Sequence, residues 1–495
     1  MKKIIILCLL LLAGWQLADA SSLYRVRFAS YPEKIRAVFD FNGAFSYAVK
    51  EATQEKIILL LKNCSATADI SNYVEANDLI VRYFEIEKQG ADLLVSIPLG
   101  EPIDYQLFYL SDPPRLVIDF GRDFIKMVSG GMIADGIEFL KVKKGSADGS
   151  FSASVLKIDP RKTEIEPALA QKQKPNLFES FINFILPWKK EENRRHFFID
   201  KVSTIVKDNG GVAGVNGTFF AYNGKPLGAL MIAREMVSFS INDRTALFFD
   251  EENQPYIDNV YISSYARLSN GVSLPIKGMN ENRDNDEIIL YTPAWGERTE
   301  TDNRGIELVV SKSVVTQINI GNSSIPEDGY VISINGPEVE QIGDFVKVGE
   351  KLDVHIKVVP FSSSPKTIVH LISGGPRLLK TGVFYVTKYG EKFRSDVANS
   401  RVARTAVGID RQNQLLLVTV DGNHRKNGKE LNEEASIGAT LEELSSLMLS
   451  LGAVDAMNLD GGSSSTMVVK DKVVNHPSSG SQRRVSNALL VRPKI

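Results

Sequence analysis

Two aspartates in the C-terminal part of the sequence stand directly after apolar runs, where a carboxylate could take part in bond cleavage. Asp421 follows the run Leu415–Val420, and Asp460 follows the run at residues 454–459. Two carboxylates in equivalent positions are the usual apparatus of glycoside cleavage. Each aspartate also precedes a glycine, and Asp-Gly after a strand is a strong signal for an ordinary turn. The pair therefore predicts either a glycan-cleaving site or two structural turns.

The Gly-Gly-Ser segment that follows Asp460 could bring backbone amides close to a bound ligand. Its composition resembles a flexible linker, but it lies between the apolar run at 454–459 and the apolar residues 467–469. A nucleophile elbow would read Gly-x-Ser-x-Gly, and Ser465 stands where the second glycine is required. We therefore expect a turn at the end of a strand and not the active serine of a hydrolase.

Several arginines lie beside turns or at strand starts, where they could hold an anion. Arg377 follows a Gly-Gly-Pro turn, Arg404 opens an apolar strand, and Arg483 and Arg484 precede the segment that contains Asn487. Taken singly, each would suit a surface position. Taken together with glycine amides, they suit a bound phosphate.

Two segments that lead to these positions share one arrangement of helix, glycine, buried strand and polar strand end. In the first, an apolar helical stripe stops at Gly210 and a short apolar run leads to Asn216. In the second, Thr440 and Glu443 predict a capping box, and Gly452 marks the end of the helix. These units predict an α+β or α/β fold, with a mixed sheet and flanking helices in residues 136–495. Ligands in such sheets bind beyond the carboxyl ends of the strands.

The N-terminal part of the sequence has a different pattern. Lys2 and Lys3 precede an apolar run that ends in small residues, which predicts a cleavable signal peptide over residues 1–20 and export to the periplasm, cell envelope or medium. No transmembrane segment is expected after cleavage. Short alternating strands in residues 21–135 predict a β-sandwich, with Ile35 and Phe39 among the residues on its inner face.

Composition excludes several classes of function. The 58 Lys and Arg residues against 60 Asp and Glu residues leave a formal charge of −2, which predicts no general affinity for nucleic acid. Cys64 is alone once residues 1–20 are removed, so no intrachain disulfide is expected. The five histidines show no paired spacing of the kind that holds zinc. We therefore predict neither a metal nor a cofactor.

The motifs taken together resemble the phosphodiester glycosidase family over residues 136–495. The resemblance implies hydrolysis of a sugar-1-phosphodiester at the bond between the sugar C1 and oxygen, on a glycan substrate. The motifs that carry it are GVNGTFF, SGGPRLLKTG, RTAVGID, LLVTVDGNH, NLDGGSSSTMVV and RRVSNALLV. The stretch between Phe220 and Leu371 contains none of them, so a further catalytic residue could lie there.

The resemblance and the residue chemistry together give a set of predicted site residues. Two are predicted to be catalytic: Asp460 and Asp421. The residues predicted to bind substrate are Asn216, Arg377, Arg404, His424, Asn458, Gly461, Gly462, Ser463, Arg484 and Asn487. Within this set, arginine and the glycine amides would hold phosphate, asparagines would bind sugar hydroxyls or orient an acid, and the two aspartates would divide the carboxylate roles.

Two other functions stay open on the sequence alone. The first is a non-catalytic envelope protein that binds glycan or peptidoglycan in the same pocket. The stretch SDPPRLVIDFG resembles the end of the AMIN domain, an envelope-targeting module, which implies peptidoglycan as a partner of residues 21–135. A β-domain without a binding role would fit those strands as well. The second alternative is a phosphodiesterase that cuts the P–O bond, a reaction that normally uses a metal.

Overall fold

A computed structural model describes residues 21–31, 33–53, 55–76, 80–81, 83–101, 103–146, 148–171, 196–337, 339, 346–422, 425–426, 429–430 and 436–494. The predicted signal peptide and His424 lie outside these residues. The chain divides into two compact units, one of Met1–Lys126 with Gly145–Gly149 and one of Met127–Lys144 with Ser150–Ile495. None of the described helices combines the length and the apolar character needed to cross a membrane.

The first unit is built from two five-stranded sheets that enclose one hydrophobic core. In chain order its strands are β1 (Ser21–Ser30), β2 (Lys34–Phe41), β3 (Ser46–Ala52), β4 (Lys56–Lys62), β5 (Cys64–Ala66), β6 (Tyr73–Glu75), β7 (Tyr83–Gln89), β8 (Asp92–Pro98), β9 (Tyr105–Ser111) and β10 (Pro114–Gly121). One sheet has the order β5-β1-β2-β10-β9 and the other β3-β4-β8-β7-β6. The alternation predicted for β2 is confirmed, because Ile35, Ala37, Phe39 and Phe41 are all buried in the core between the sheets.

The described part of the second unit contains all or most of each remaining strand, together with three short helices. Its first strands are β11 (Ile125–Ala134), β12 (Ile137–Ser146), β13 (Gly149–Ile158), β14 (Thr163–Leu169), β15 (Asp200–Lys201), β16 (Ala213–Asn216), β17 (Leu230–Ile232), β18 (Glu235–Ser238), β19 (Thr245–Asp250), β20 (Pro255–Leu268), β21 (Ser273–Pro275), β22 (Gly278–Met279), β23 (Ile288–Tyr291), β24 (Ile306–Ser311), β25 (Val314–Asn319), β26 (Gly329–Ile334) and β27 (Leu352–Pro360). The later strands are β28 (Ile368–Ser373), β29 (Arg377–Lys380), β30 (Val383–Phe384), β31 (Arg404–Asp410), β32 (Leu415–Val420), β33 (Arg425–Lys426), β34 (Lys429–Glu430), β35 (Ala453–Asn458), β36 (Met467–Val469), β37 (Lys472–Val473), β38 (Arg484–Val485) and β39 (Asn487–Pro493). The described helices are α1 (Val202–Asp208), α2 (Ser395–Ala398) and α3 (Leu441–Ser450).

These strands form four larger sheets in the described part of the unit. An eight-stranded sheet has the order β11-β12-β13-β32-β31-β35-β29-β30, and a five-stranded sheet has the order β14-β39-β16-β36-β37. The others run β18-β17-β28-β19-β20-β21, with β27 also paired to β20, and β22-β23-β26-β24-β25. Two-stranded pairs join β15 to β38 and β33 to β34.

The predicted α+β or α/β class with flanking helices is wrong, because strands make up 54% of the structure and helices 6%. The local pattern of helix, glycine and strand does form: α3 has the predicted capping box at Thr440 and Glu443, and β35 follows it. The strands that follow α1 and α3 nevertheless pair antiparallel with their neighbours, β16 with β39 and β35 with β31. Parallel strands require a crossover connection for each pair, whereas antiparallel strands do not, so few helices are needed.

Candidate active site

The carboxyl ends of β32 and β35 lie at one edge of the eight-stranded sheet, on either side of the start of β31. In the register of these antiparallel strands, Arg404 is opposite Val420, and Ala406 is opposite Asn458. Asp421 therefore continues one neighbour of β31 beyond this edge, and Asp460 continues the other. The structure brings the two predicted carboxylates to the same edge, as their positions after buried strands suggested.

Ala403 lies between the two Asp-Gly turns and explains why each aspartate is followed by glycine. A Cβ atom at Gly422 would lie 3.2 Å from the Cβ of Ala403, and a Cβ atom at Gly461 would lie 3.0 Å from its carbonyl oxygen. The same carbonyl accepts a hydrogen bond of 2.7 Å from the backbone N–H of Gly462. The absence of side chains lets both turns approach one residue.

Asp460 is partly exposed as a residue, but its carboxyl group is largely shielded from water by the surrounding protein. Burial raises the pKa of its carboxyl group to about 6, although a hydrogen bond donated by the Ser464 hydroxyl, the charge of Arg483 and the backbone N–H of Gly461 all favour ionisation. The Gly461 N–H donates to Asp460 Oδ1 at 3.0 Å. The residue still keeps some contact with solvent, so a ligand could reach it. A carboxyl group that titrates near neutral pH can serve as an acid or a base.

The turn after Asp460 is shaped by hydrogen bonds within itself. Gly462 has φ +60°, a conformation that favours glycine, and it opens a short 3₁₀ helix at Gly462–Ser464. The N–H groups of Ser464 and Ser465 donate to the carbonyls of Gly461 and Gly462, each at 3.2 Å. Since the N–H groups of both glycines also donate within the protein, these amides are committed to holding the turn.

Arg483, rather than Arg484, reaches the turn that follows Asp460. Its Nη1 atom lies 3.4 Å from Ser463 Oγ and 3.2 Å from Ser464 Oγ, and its guanidinium carbon lies 5.0 Å above the ring of Phe220. It was left out of the predicted site. Arg484 is an exposed residue of β38. Arg483 precedes this strand and is exposed as well, but among the described residues it is the one of the two whose guanidinium contacts the turn.

Among the described residues, the side chain of Asp421 is held by His476. The backbone N–H of His476 donates to Asp421 Oδ1 at 2.8 Å, and the ring Nδ1 lies 3.2 Å from Oδ2. The carbonyl of Asp421 accepts a hydrogen bond of 2.5 Å from Ser436 Oγ. The side chain is buried, whereas that of His476 is 64% exposed. Both carboxylate oxygens of Asp421 are therefore occupied by the segment around His476.

The predicted asparagines are buried and organise the strand ends. Asn216 Nδ2 donates to the Asp460 carbonyl at 2.6 Å, while its Oδ1 accepts from Thr405 Oγ1 at 2.8 Å. Asn458 Nδ2 donates to the Gly375 carbonyl at 3.0 Å. Asn487 Oδ1 accepts from a backbone N–H at 2.8 Å. One polar atom in each of the last two side chains, Asn458 Oδ1 and Asn487 Nδ2, is buried and has no hydrogen-bond partner within the described residues.

Arg377 and Arg404 use their donors inside the protein. Arg377 contacts Asp455 Oδ1 at 2.6 Å and Asp258 Oδ1 at 3.4 Å, and it is 3% exposed. Arg404 donates to the carbonyls of three residues and forms no ion pair with a described residue. Those residues are Ala439, Val397 and Ser400. Burial lowers the pKa of Arg404 to about 10, which leaves the group charged at neutral pH. In this arrangement both arginines stabilise the fold through contacts within the protein.

Comparison with known proteins assigns part of this unit to a family. The family model of the phosphodiester glycosidases matches residues 304–492, which include both aspartate turns and Arg483. This segment belongs to the phosphodiester glycosidase family. Asn216 and the rest of its strand lie outside the matched residues. No group of three or more His, Cys, Asp or Glu side chains suited to a metal occurs among the residues the structure describes.

The curated relatives match only a short part of the chain. N-acetylglucosamine-1-phosphodiester alpha-N-acetylglucosaminidase from Bos taurus is 34% identical over 140 residues, which is 25% of this chain and 24% of that protein. The Homo sapiens enzyme of the same name is 32% identical over 124 residues, 23% of this chain and 22% of the relative. The chain thus spans about a quarter of the length of these relatives.

Two solved structures share the fold. A protein from Synechocystis superposes with a TM-score of 0.59 at 24% identity, covering 96% of this chain and 81% of that chain. A Burkholderia pseudomallei K96243 protein, designated as exported, gives a TM-score of 0.55 at 17% identity, with 94% and 100% covered. At these identities the likeness extends to the fold alone.

Proposed function

We propose that this protein is an exported hydrolase that cleaves a sugar-1-phosphodiester between the sugar C1 and the bridging oxygen. The products would be a free sugar and a phosphate monoester, with one water consumed. The observation that carries the proposal is Asp460, a partly exposed carboxylate with a pKa of about 6, beside Arg483 in the segment matched by the family. The proposed substrates are glycans of the cell envelope or exopolysaccharide.

The chemistry of the leaving group fits this set of residues. A phosphate monoester leaves far more easily than a sugar alkoxide, so binding the anion matters more than strong general-acid help. Arg483 offers guanidinium donors next to Ser463 and Ser464 for that anion. Asp460 is the group proposed to act on the oxocarbenium-like transition state or on the attacking water.

Asp421 stays the second proposed carboxylate, at the same sheet edge. Because its two oxygens already contact His476, it would act from an oriented position or through that histidine. The proposed roles of Asn216 and Asn458 follow from their contacts. They would position Asp460 through its carbonyl and through the Gly375 turn, respectively.

Hydrolysis of a defined substrate in H₂¹⁸O tests the reaction and separates it from cleavage of the P–O bond. We expect mass spectrometry to find the label in the released sugar, from an N-acetylglucosamine-1-phosphodiester or an envelope glycan fragment. Label in the phosphate monoester would identify a phosphodiesterase instead. Retention on glycan without any released sugar would favour a binding protein. Asp471→Asn, an exposed aspartate in a turn, is the matched control for Asp460→Asn.

The first unit is proposed to direct the enzyme to the envelope. Its support is the AMIN-like stretch and the β-sandwich that contains it. Co-sedimentation of the full chain with peptidoglycan, compared with a chain that lacks residues 21–126, tests the idea. Equal sedimentation of the two chains would remove the targeting role.

A further inference from the structure

Arg244 differs from the two buried arginines in having donors that the protein does not use. Its Nε donates to the Glu391 carbonyl in a long contact of 3.4 Å. Within the described residues its terminal Nη groups have no hydrogen-bond acceptor and the guanidinium forms no ion pair. Arg377 and Arg404, by contrast, donate hydrogen bonds to carboxylates and carbonyls of the protein.

The nearby carboxylate of Glu391 already accepts hydrogen bonds from four other donors. Its oxygens accept hydrogen bonds from Thr245 N at 2.9 Å, Thr245 Oγ1 at 2.6 Å and Arg377 N at 3.0 Å, and from Thr387 Oγ1. Glu391 therefore fixes the backbone around it and leaves the guanidinium of Arg244 without a direct counter-ion. Burial lowers the pKa of Arg244, as expected for a cation with incomplete compensation.

The guanidinium of Arg244 is held in place by an aromatic ring. Its carbon lies 4.0 Å from the ring centroid of Phe393, and that ring lies 5.7 Å from the ring of Phe219. An arginine stacked on an aromatic face keeps its in-plane donors available. Stacking also removes part of the rotamer freedom that the side chain would otherwise lose when it binds a ligand.

A chain of contacts connects Arg244 to the strand end that carries Asp460. The Phe393 ring packs against Gly375, where an added Cβ would lie 3.0 Å from ring atom Cε2. The Gly375 N–H donates to the Asn458 carbonyl at 2.7 Å. Asn458 is two residues before Asp460. Arg244 is therefore linked through Phe393 and Gly375 to β35, the strand that ends beside Asp460.

We infer that Arg244 is an anion-binding residue of this site and receives a phosphate or a similar oxyanion of the substrate. The inference deepens the proposed function and rests on it. A planar guanidinium with free donors suits bidentate contact with phosphate. Phe219 contacts the ring beneath Arg244, and the next residue, Phe220, lies beneath Arg483. Two separately braced cations fit a substrate with more than one negative charge, such as a chain of phosphodiester-linked sugars.

Binding of inorganic phosphate to the full chain tests the inference without requiring turnover. By titration calorimetry we expect Arg244→Gln to weaken phosphate binding at least tenfold and Arg244→Lys to weaken it less, because the charge is kept and the planar fork is lost. Arg394→Gln is the matched control, since that side chain is 89% exposed. It should bind phosphate within twofold of the wild type.

The outcomes test the anion-binding role of Arg244 separately from the proposed reaction. Phosphate binding that is unchanged in Arg244→Gln, or reduced equally in Arg394→Gln, overturns the inference, and so does a wild type that binds no phosphate. If the wild type releases sugar, Arg244→Gln should raise KM for the phosphodiester more than it lowers kcat. If Arg244→Gln weakens phosphate binding and the wild type releases no sugar, the anion site stands and the proposed function falls.

Discussion

The strand ends at Asp421 and Asp460 have the same local sequence and different surroundings. Each aspartate follows a buried strand, precedes glycine and packs beside Ala403. Asp421 is buried, and its two oxygens are taken by His476. Asp460 is partly exposed, and burial of its carboxyl group raises its pKa to about 6. The comparison teaches that strand register sets the position of a carboxylate, whereas its neighbours determine its exposure, its hydrogen bonds and its pKa.

Neutralising each aspartate gives the largest expected contrast. If the proposed function holds, Asp460→Asn should lower kcat/KM for the sugar-1-phosphodiester by roughly 10³-fold, since it removes a group that must exchange or share a proton. Asp421→Asn should lower kcat/KM by a much smaller factor. Rates are compared at equal folded fraction, with Asp471→Asn as the control. Near wild-type turnover in Asp460→Asn would remove Asp460 from the mechanism.

The second contrast is in stability against pH, and its sign follows from the raised pKa of Asp460. A folded-state pKa of about 6, above the ordinary aspartate value of 3.8, means that protonation of the carboxyl group favours the folded state. That stability is complete below the unfolded pKa and is lost as pH rises through about 6, a total of about 3 kcal/mol.

Asp460→Asn cannot ionise and should escape this loss. We expect the free energy of unfolding of the variant, relative to wild type, to rise by up to about 3 kcal/mol between pH 4 and pH 8. Urea unfolding across this range measures it. A difference that stays constant with pH would show that the Asp460 carboxyl is not destabilised by burial.

The sequence predicts the positions of these strand ends but not the pairing of the strands. The capping box at Thr440 and Glu443 and the alternation in β2 depend on neighbouring residues, and both are present. Whether β35 pairs parallel or antiparallel depends on β31 and β29, which are distant in sequence, so the fold class was mispredicted. Local sequence patterns indicate where helices and strands form, whereas the pairing of strands depends on contacts between residues that are distant in sequence.

The residue types at the site were also easier to predict than their partners. Arg377 and Arg404 have the right type beside the right turns, yet their donors are used by residues as remote as Asp258. Arg483 and Arg484 are adjacent, and sequence offers no register to decide between them. Arg244 lies in the stretch without motifs, and its use becomes visible only when Phe393 lies beneath it.

Asp421→Asn should reveal a scaffolding contribution smaller than the effects at Asp460. The substitution replaces one acceptor that faces His476 by an N–H₂ group, so one of the two contacts is lost. We expect a fall of roughly 1–2 kcal/mol in the free energy of unfolding at neutral pH, measured in urea. Unchanged stability together with a loss of kcat/KM as large as that of Asp460→Asn would show that the two carboxylates contribute equally to the reaction, and would erase the contrast with Asp460.

The smallest expected effect distinguishes the two neighbouring arginines and tests why the Asp460 end differs. Arg483→Gln removes a positive charge that lowers the pKa of Asp460, so any inflection of the pH–rate profile that belongs to Asp460 should move to higher pH. It should also raise KM roughly tenfold through the lost anion contact. Arg484→Gln, in the neighbouring residue predicted from the sequence to belong to the site, should change both quantities less. If Arg484→Gln gave the larger change, then Arg483 would be only a surface cation above Phe220, and the special character of Asp460 would rest on burial alone.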